Sequence, residues 1–299
     1  MKRQKNKVDG WVVLDKPIGP SSTQALGKVR WIFEAAKGGH GGTLDPLASG
    51  VLPIALGEAT KLIPFAMDGT KQYEFAVRWG AATATDDLEG SVVATSPIRP
   101  AESAIRAALP RFEGEIEQLP PAFSAIKIDG KRAYELARAG EEVVLQPRKV
   151  LIHKLEYLES PDADTARFRV TCGKGTYVRS LARDLAGALG TVGHVIELRR
   201  TRVGKFTLES AISLARLEGF GHSPARFGAL APVETALDDI PVLAVTAEEA
   251  AALKQGRALR DPRIDRVPAE PIAAFQEGRL VALVASDGTE IRPVRVFNL

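Results

Sequence analysis

The 299-residue sequence contains one cysteine, Cys172, which excludes an intrachain disulfide and a cysteine-rich zinc site. A reducing, cytoplasmic setting is expected. Its four histidines stand far apart, with no pair at helical ligand spacing and no HExxH, so no catalytic metal is expected. No uncharged apolar run approaches the roughly 18 residues of a membrane helix. The basic opening MKRQKNKVDG runs into WVVLDKP, not into the apolar stretch that a secretion signal needs. No GxSxG elbow occurs, and Cys172 alternates with core-facing residues, so acyl-transfer nucleophiles lack a signature. The run Gly173-Lys174-Gly175-Thr176 fails as a phosphate loop: Phe168 stands where the first glycine belongs, and Gly175 where Ser or Thr should follow Lys174. The absence of any 20- to 50-residue repeat excludes a solenoid.

What remains is the composition of an ordinary globular protein, 45% hydrophobic and 26% charged, long enough for one large domain and a smaller one. The 40 Lys and Arg against 37 Asp and Glu give a net charge of only +3. The charge is concentrated, however: between Thr165 and Ser210 nine basic residues face three acidic ones, a local net of +6. Such a concentration fits either a solvated basic face or a polyanionic ligand.

Helix and strand signals interleave along the chain. Trp11 to Leu14 predicts a strand, and Ser21 with Gln24 a capping box for a helix with Ala25, Val29 and Ile32 on one face, ending by Gly38. Tyr73, Phe75, Val77 and Trp79 alternate as in a strand, followed by a polar loop from Thr83 to Gly90. The stretch from Pro120 combines a Pro pair, a turn at Asp129-Gly130 and a short helix closed by Gly140. Phe168, Val170 and Cys172 predict another strand, leading into a helix that puts Arg179 and Arg183 on a face opposite Leu181 and Leu185. A further strand from His194 to Arg199 points Ile196 and Leu198 to one side. Beyond Pro232, a capping box at Thr246 and Glu249, a helix ending at Gly256 and turns at Glu277-Gly278 and Asp287-Gly288 predict a small, mainly β, separate domain over 240–299.

The segment from His40 to Gly50, HGGTLDPLASG, is dense in glycine and sets an acid before proline. An Asp-Pro in a loop usually caps backbone amides. Here the glycines allow a close approach, and the apolar strand Val51 to Leu56 holds the loop on a rigid element, so Asp45 is a candidate functional acid.

This segment, continued as HGGTLDPLASGVLPIALGEATK, resembles the catalytic motif of the TruB family of tRNA pseudouridine synthases. It is joined in order by WVVLDKPIGPSS, by KQYEF at 71–75, by LPPAFSAIKIDGKRAYELARAGEEV at 119–143, by CGKGTYVRSLARDL at 172–185 and by GHVIELRRTRVGKF at 193–206. The resemblance covers most of residues 10–210, and the last 60 or so are similar, on position and turn pattern, to a small RNA-binding domain of PUA type. It implies a mixed α/β (α+β) pseudouridine synthase fold with a largely antiparallel central sheet in residues 1–235, an RNA-gripping insertion at about 120–146, and the PUA-like domain at 240–299. Thr43 replaces the alanine or small residue more usual there.

By the same resemblance, Asp45 is the catalytic aspartate, Tyr73 the active-site tyrosine and Arg179 the arginine that pairs with the aspartate. Tyr177 and Leu198 line the uridine pocket, and His40 approaches the flipped nucleotide. Lys16-Pro17 buttresses the catalytic loop, with Lys16, Lys131, Arg132, Lys174 and Arg183 the candidates for RNA phosphates. The implied reaction converts uridine-55 of the tRNA T loop to pseudouridine. It carries no group away and changes no oxidation state, so no cofactor is demanded. Asp45 serves either as nucleophile at the anomeric carbon or as base on the ribose. The expected partner is the T-arm of tRNA, with no membrane and no obligate protein partner, and the chain is expected to be a monomer. A tRNA-binding or tRNA-folding protein and a nucleoside hydrolase are the rival readings.

Overall fold

Residues Gly10–Lys16 form β1. Its run WVVL is apolar without alternation because the strand is buried on both faces: Val12 and Leu14 enter one core cluster, Trp11 and Val13 another. The computed structural model describes residues 6–124, 126–128, 130–139, 143–237, 240–260 and 271–299. In it Ser21 and Gln24 form the capping box of α1, Ser22–Phe33, which buries Ala25, Val29 and Ile32. The helix stops before Gly38, at Glu34 in the left-handed conformation. β2 (Gly38–His40) and β3 (Ala48–Leu56) form an antiparallel hairpin around the Asp45 loop.

A 3-10 turn and α2 (Ile63–Asp68) lead into β4 (Lys71–Trp79), where Tyr73, Phe75, Val77 and Trp79 are all buried. β5 (Ala81–Thr83) and β6 (Val92–Thr95) make a side hairpin whose connection carries Asp86 and Asp87. After α3 (Glu102–Ala108) and β7 (Gly114–Gln118) comes the expected excursion: β8 (Lys127–Ile128) and β9 (Lys131–Arg132) pair across Gly130, and α4 (Ala133–Arg138) follows. Gly140, expected to close that helix, lies outside the described residues. β10 (Arg148–Asp162), β11 (Thr165–Cys172), α5 (Val178–Ala188), β12 (Gly193–Val203), β13 (Phe206–Thr207), β14 (Ile212–Ser213) and α6 (Leu214–Gly219) complete the region.

These strands join one ten-stranded sheet in the order β14-β1-β3-β12-β4-β11-β10-β7, with β13 on β12 and β2 on β3. All its ladders are antiparallel except β1 with β14 and β3 with β12. The parallel step lets the end of the Asp45 loop lie beside the middle of β12, with β4 on the other side of β12. Three distant stretches of sequence thus meet at one place.

A second sheet, β15-β16-β17-β18, is built from Val242–Ala244, Ile272–Gln276, Arg279–Ser286 and Ile291–Val296. α7 (Ala247–Lys254) begins at the Thr246–Glu249 capping box. Glu277 and Gly278 both take positive φ, 47° and 77°, as a two-residue hairpin turn of type I′ requires. This sheet shares an apolar cluster with the first: Ala273, Leu280, Leu283 and Phe297 pack with Trp11, Val13, Val51 and Phe206. On its other face it forms its own cluster with Ala250 and Leu253 of α7.

Gly50 shows how tightly β3 and β12 are joined. It has φ +102°, and a Cβ there would lie 2.1 Å from the carbonyl oxygen of Arg200. Strain and overlap together predict that Gly50→Ala lowers stability by about 2–4 kcal/mol. An unchanged urea midpoint would refute this.

Candidate active site

The loop between β2 and β3 is held from several sides. The Ser22 hydroxyl, in the first turn of α1, donates to the Leu44 carbonyl (2.9 Å) and accepts from the Leu44 N–H (2.8 Å). Gly19 N–H donates to Pro46 O at 2.9 Å and Gly41 N–H to Pro53 O at 2.8 Å. The Leu44 side chain is buried in the core. The residue after Leu44 therefore projects from a backbone with little freedom.

Lys16 lies at the end of β1 and is fully buried. Its ammonium donates to Pro17 O (2.9 Å) and Pro20 O (2.8 Å), in the segment that leads to Ser22. Burial holds its pKa down at about 8, with the Arg200 charge adding to that and the Asp45 charge opposing it. This corrects one expectation: a sealed ammonium bound to carbonyls supports the loop and does not reach an RNA phosphate.

The Asp45 carboxylate is 43% exposed and forms an ion pair with Nη2 of Arg179 at 2.9 Å. Arg179 is buried, and its guanidinium is a junction. Nη2 also donates to Phe123 O (2.9 Å), while Nη1 donates to Thr85 O (2.9 Å) and pairs with the Asp87 carboxylate (3.4 Å). The arginine is fixed by backbone on two sides and by two acids, which sets where the Asp45 carboxylate can sit.

Asp86 and Asp87 were not singled out from the sequence, although their adjacent acids in a polar loop were visible. Asp87 Oδ1 accepts from Glu89 N–H at 3.0 Å, which locks its carboxylate in the turn. Asp86, at φ 59°, pairs with Arg183 at 3.0 Å, and burial raises its carboxyl pKa although Arg183 and Arg179 oppose this. Arg183 also bonds Asp184 (3.0 Å) and Leu119 O (2.9 Å). The structure thus gives this proposed phosphate contact three protein partners. Lys174 remains 70% exposed beside Asp68, at 2.8 Å. Of Lys131 and Arg132 the described part is the backbone of the β8–β9 hairpin.

An open cleft lies over this junction, lined by Asp45, Leu47, Ala48, Asp87, Arg179 and the run from Val195 to Leu198. A bulge interrupts β12 between Val195 and Glu197 in its ladder with β4, and Ile196 and Leu198 both border the cleft. Leu198 lies beside Ala48 on one neighbour and Phe75 on the other.

Tyr73, His40 and Tyr177 are outside that lining. Tyr73 sits on β4 opposite Arg200, only 9% exposed. Burial raises its phenol pKa, while the charge and side-chain hydrogen bond of Arg200 work against the rise. His40 is half-buried at the end of β2, and burial, helped by Arg200, lowers its pKa and keeps the ring neutral at pH 7. Tyr177 precedes α5, its N–H donating to Gln118 Oε1 at 2.7 Å and its phenol pKa raised by burial. Arg200, buried beneath the Asp45 loop, is a residue that sequence reasoning passed over. Its place on the same side of the strand as Leu198 was the available signal.

Among the described residues no group of three or more His, Cys, Asp or Glu side chains could hold a metal ion, and no helix is long and apolar enough to cross a membrane. Comparison with known proteins agrees with the geometry. The pattern described as TruB family pseudouridylate synthase (N terminal domain) matches residues 30–178. Two C-terminal patterns follow, tRNA pseudouridylate synthase B C-terminal domain at 179–238 and tRNA Pseudouridine synthase II, C terminal, at 240–298. A tRNA pseudouridine synthase B of Bradyrhizobium diazoefficiens is 54% identical over 100% of this chain and 88% of its own length. That of Caulobacter vibrioides is 52% identical over 100% and 99%. Among solved structures, a Cbf5-Nop10-Gar1 complex matches with 30% identity and a TM-score of 0.73, covering 97% of this chain and 84% of the other. An H/ACA RNP bound to a substrate RNA containing 2′-deoxyuridine matches with 27% identity and a TM-score of 0.72, covering 97% and 85%. The chain belongs to the TruB family of pseudouridylate synthases.

Proposed function

We infer that this chain isomerises uridine-55 in the T loop of tRNA to pseudouridine. The observation that carries the reading is the carboxylate of Asp45, paired with the buried Arg179 at the mouth of a cleft. The reaction breaks the bond from N1 to C1′, turns the uracil and joins C5 to C1′. N1 gains a proton and C5 loses one, with no net change in atoms. Whether Asp45 attacks C1′ or takes a proton from the ribose, it starts as the anion, and Arg179 stabilises that form and fixes its direction.

A uridine stacked within the T loop reaches such a cleft only by leaving its stack, at a cost of a few kcal/mol. In our reading Leu198 bears on the flipped uracil, Tyr73 and Tyr177 complete its surroundings, and neutral His40 approaches the flipped nucleotide. The excursion at 120–146 grips the RNA, and the sheet at 240–299 adds binding surface of PUA type. The root of that excursion is tied to α5: Leu119 O accepts from Ser180 Oγ (2.8 Å) and Arg183 (2.9 Å), and Phe123 O from Arg179 (2.9 Å). A shift of the excursion on RNA therefore reaches the partner of Asp45 directly.

The test is incubation with an unmodified tRNA transcript, without metal or nucleotide, followed by chemical mapping of pseudouridine. Product at the T-loop uridine supports the reading; release of free uracil, or tight binding with no product, refutes it. For the excursion, Lys131→Ala with Arg132→Ala should weaken tRNA binding and reduce the slope of log K against log salt by up to about 2, since each lost phosphate contact removes close to one counterion. An unchanged slope would remove the excursion from the RNA interface.

A further inference from the structure

Arg200 is 1% exposed, and among the fully buried side chains of the described residues only Trp11 is larger. Its three donor nitrogens all serve backbone carbonyls: Nε donates to Val51 O (2.8 Å), Nη1 to Thr43 O (3.3 Å) and Nη2 to Gly42 O (3.1 Å). A guanidinium removed from water and satisfied by neutral carbonyls is costly, and a leucine at this point of a buried strand would pack without that cost. Packing alone therefore does not account for it.

The carbonyls it binds are informative. Gly42 and Thr43 lie just before Asp45 in the loop, whereas Val51 lies in the strand that follows, so one planar group spans both ends of the segment bearing the carboxylate. Across the sheet Arg200 is registered against Tyr73. Its guanidinium lies directly under the loop.

We propose that Arg200 is a positioning residue of the isomerisation: it holds the Gly42 and Thr43 carbonyls, and through them Asp45, from a place in register with Tyr73. The role rests on the synthase reading above. It predicts an effect on the chemical step, not on RNA affinity, because Arg200 touches no solvent-facing surface.

The test compares wild type with Arg200→Lys in the full-length protein. Lysine keeps the charge but offers one nitrogen where three are needed. Single-turnover formation of pseudouridine should slow by about 100-fold, with the tRNA Kd within threefold and faster amide exchange in the peptide covering 40–47. A folded Arg200→Lys within twofold of the wild-type rate, or one that loses rate and affinity in equal measure, overturns the proposal. If Arg200→Lys does not fold, Gly42→Ala decides: it strains the loop at φ +106°, with its Cβ 3.5 Å from Nη1, and leaves the buried charge in place. Slow turnover at unchanged Kd supports the proposal, and a wild-type rate overturns it. Wild-type protein that makes no pseudouridine would instead refute the synthase reading, an outcome separate from all of these.

Discussion

Asp45→Asn is expected to form no measurable pseudouridine, a loss of at least about 10⁴-fold in single-turnover rate, as when the group that acts on the reacting centre is removed. The substitution keeps the shape of the side chain and takes away its charge. Asp45 is nearly half exposed and its loop is held by Ser22, Gly19 and Arg200 without help from the carboxylate. Stability and tRNA affinity should therefore stay close to wild type. The measurement is product formation under enzyme excess, alongside filter binding and thermal unfolding. Pseudouridine made at an appreciable rate would show that the acid lies elsewhere, with Asp87 the next candidate in the same cleft.

Arg179→Lys should lose about 10²- to 10³-fold in single-turnover rate, the size expected when a preorganised charge partner is misplaced. A lysine ammonium cannot reach Thr85 O, Phe123 O, Asp45 and Asp87 together, as the guanidinium does. Unlike Asp45→Asn, this variant should also unfold earlier. Leaving the buried Asp87 carboxylate and two carbonyls poorly matched costs about 3 kcal/mol or more. The rate should fall while tRNA affinity stays within a few fold. A folded Arg179→Lys with near-normal turnover would sink the assignment of Arg179 as the residue that orients Asp45.

The parts of the chain that were legible in sequence share a physical reason. The Ser21–Gln24 and Thr246–Glu249 caps, the alternation of β4 and the Glu277-Gly278 turn are settled within a few residues, and the resemblance drew the Asp45 loop out of its glycines. What stayed hidden depends on partners far away in the chain. Lys16, Arg179 and Arg200 look like surface cations because such residues are rarely buried. Arg179 and Arg200 are buried because segments distant in sequence close over them, Thr85, Asp87 and Phe123 over the first and the Asp45 loop with Val51 over the second. The bulge between Val195 and Glu197 is invisible for the same reason: it is set by the register against β4.

The apolar cluster shared by the two sheets joins Trp11 and Val13 to Phe297, and Asn298 N–H donates to Glu58 across 240 positions. A ribosome adding about 5–20 residues per second needs roughly 12–50 s to cover that interval. Throughout it the Trp11 face of β1 has been synthesised and lacks its final cover. Contacts of this sequence separation also slow folding after release. The Trp11 face of the first strand is thus completed only once Phe297 has been made.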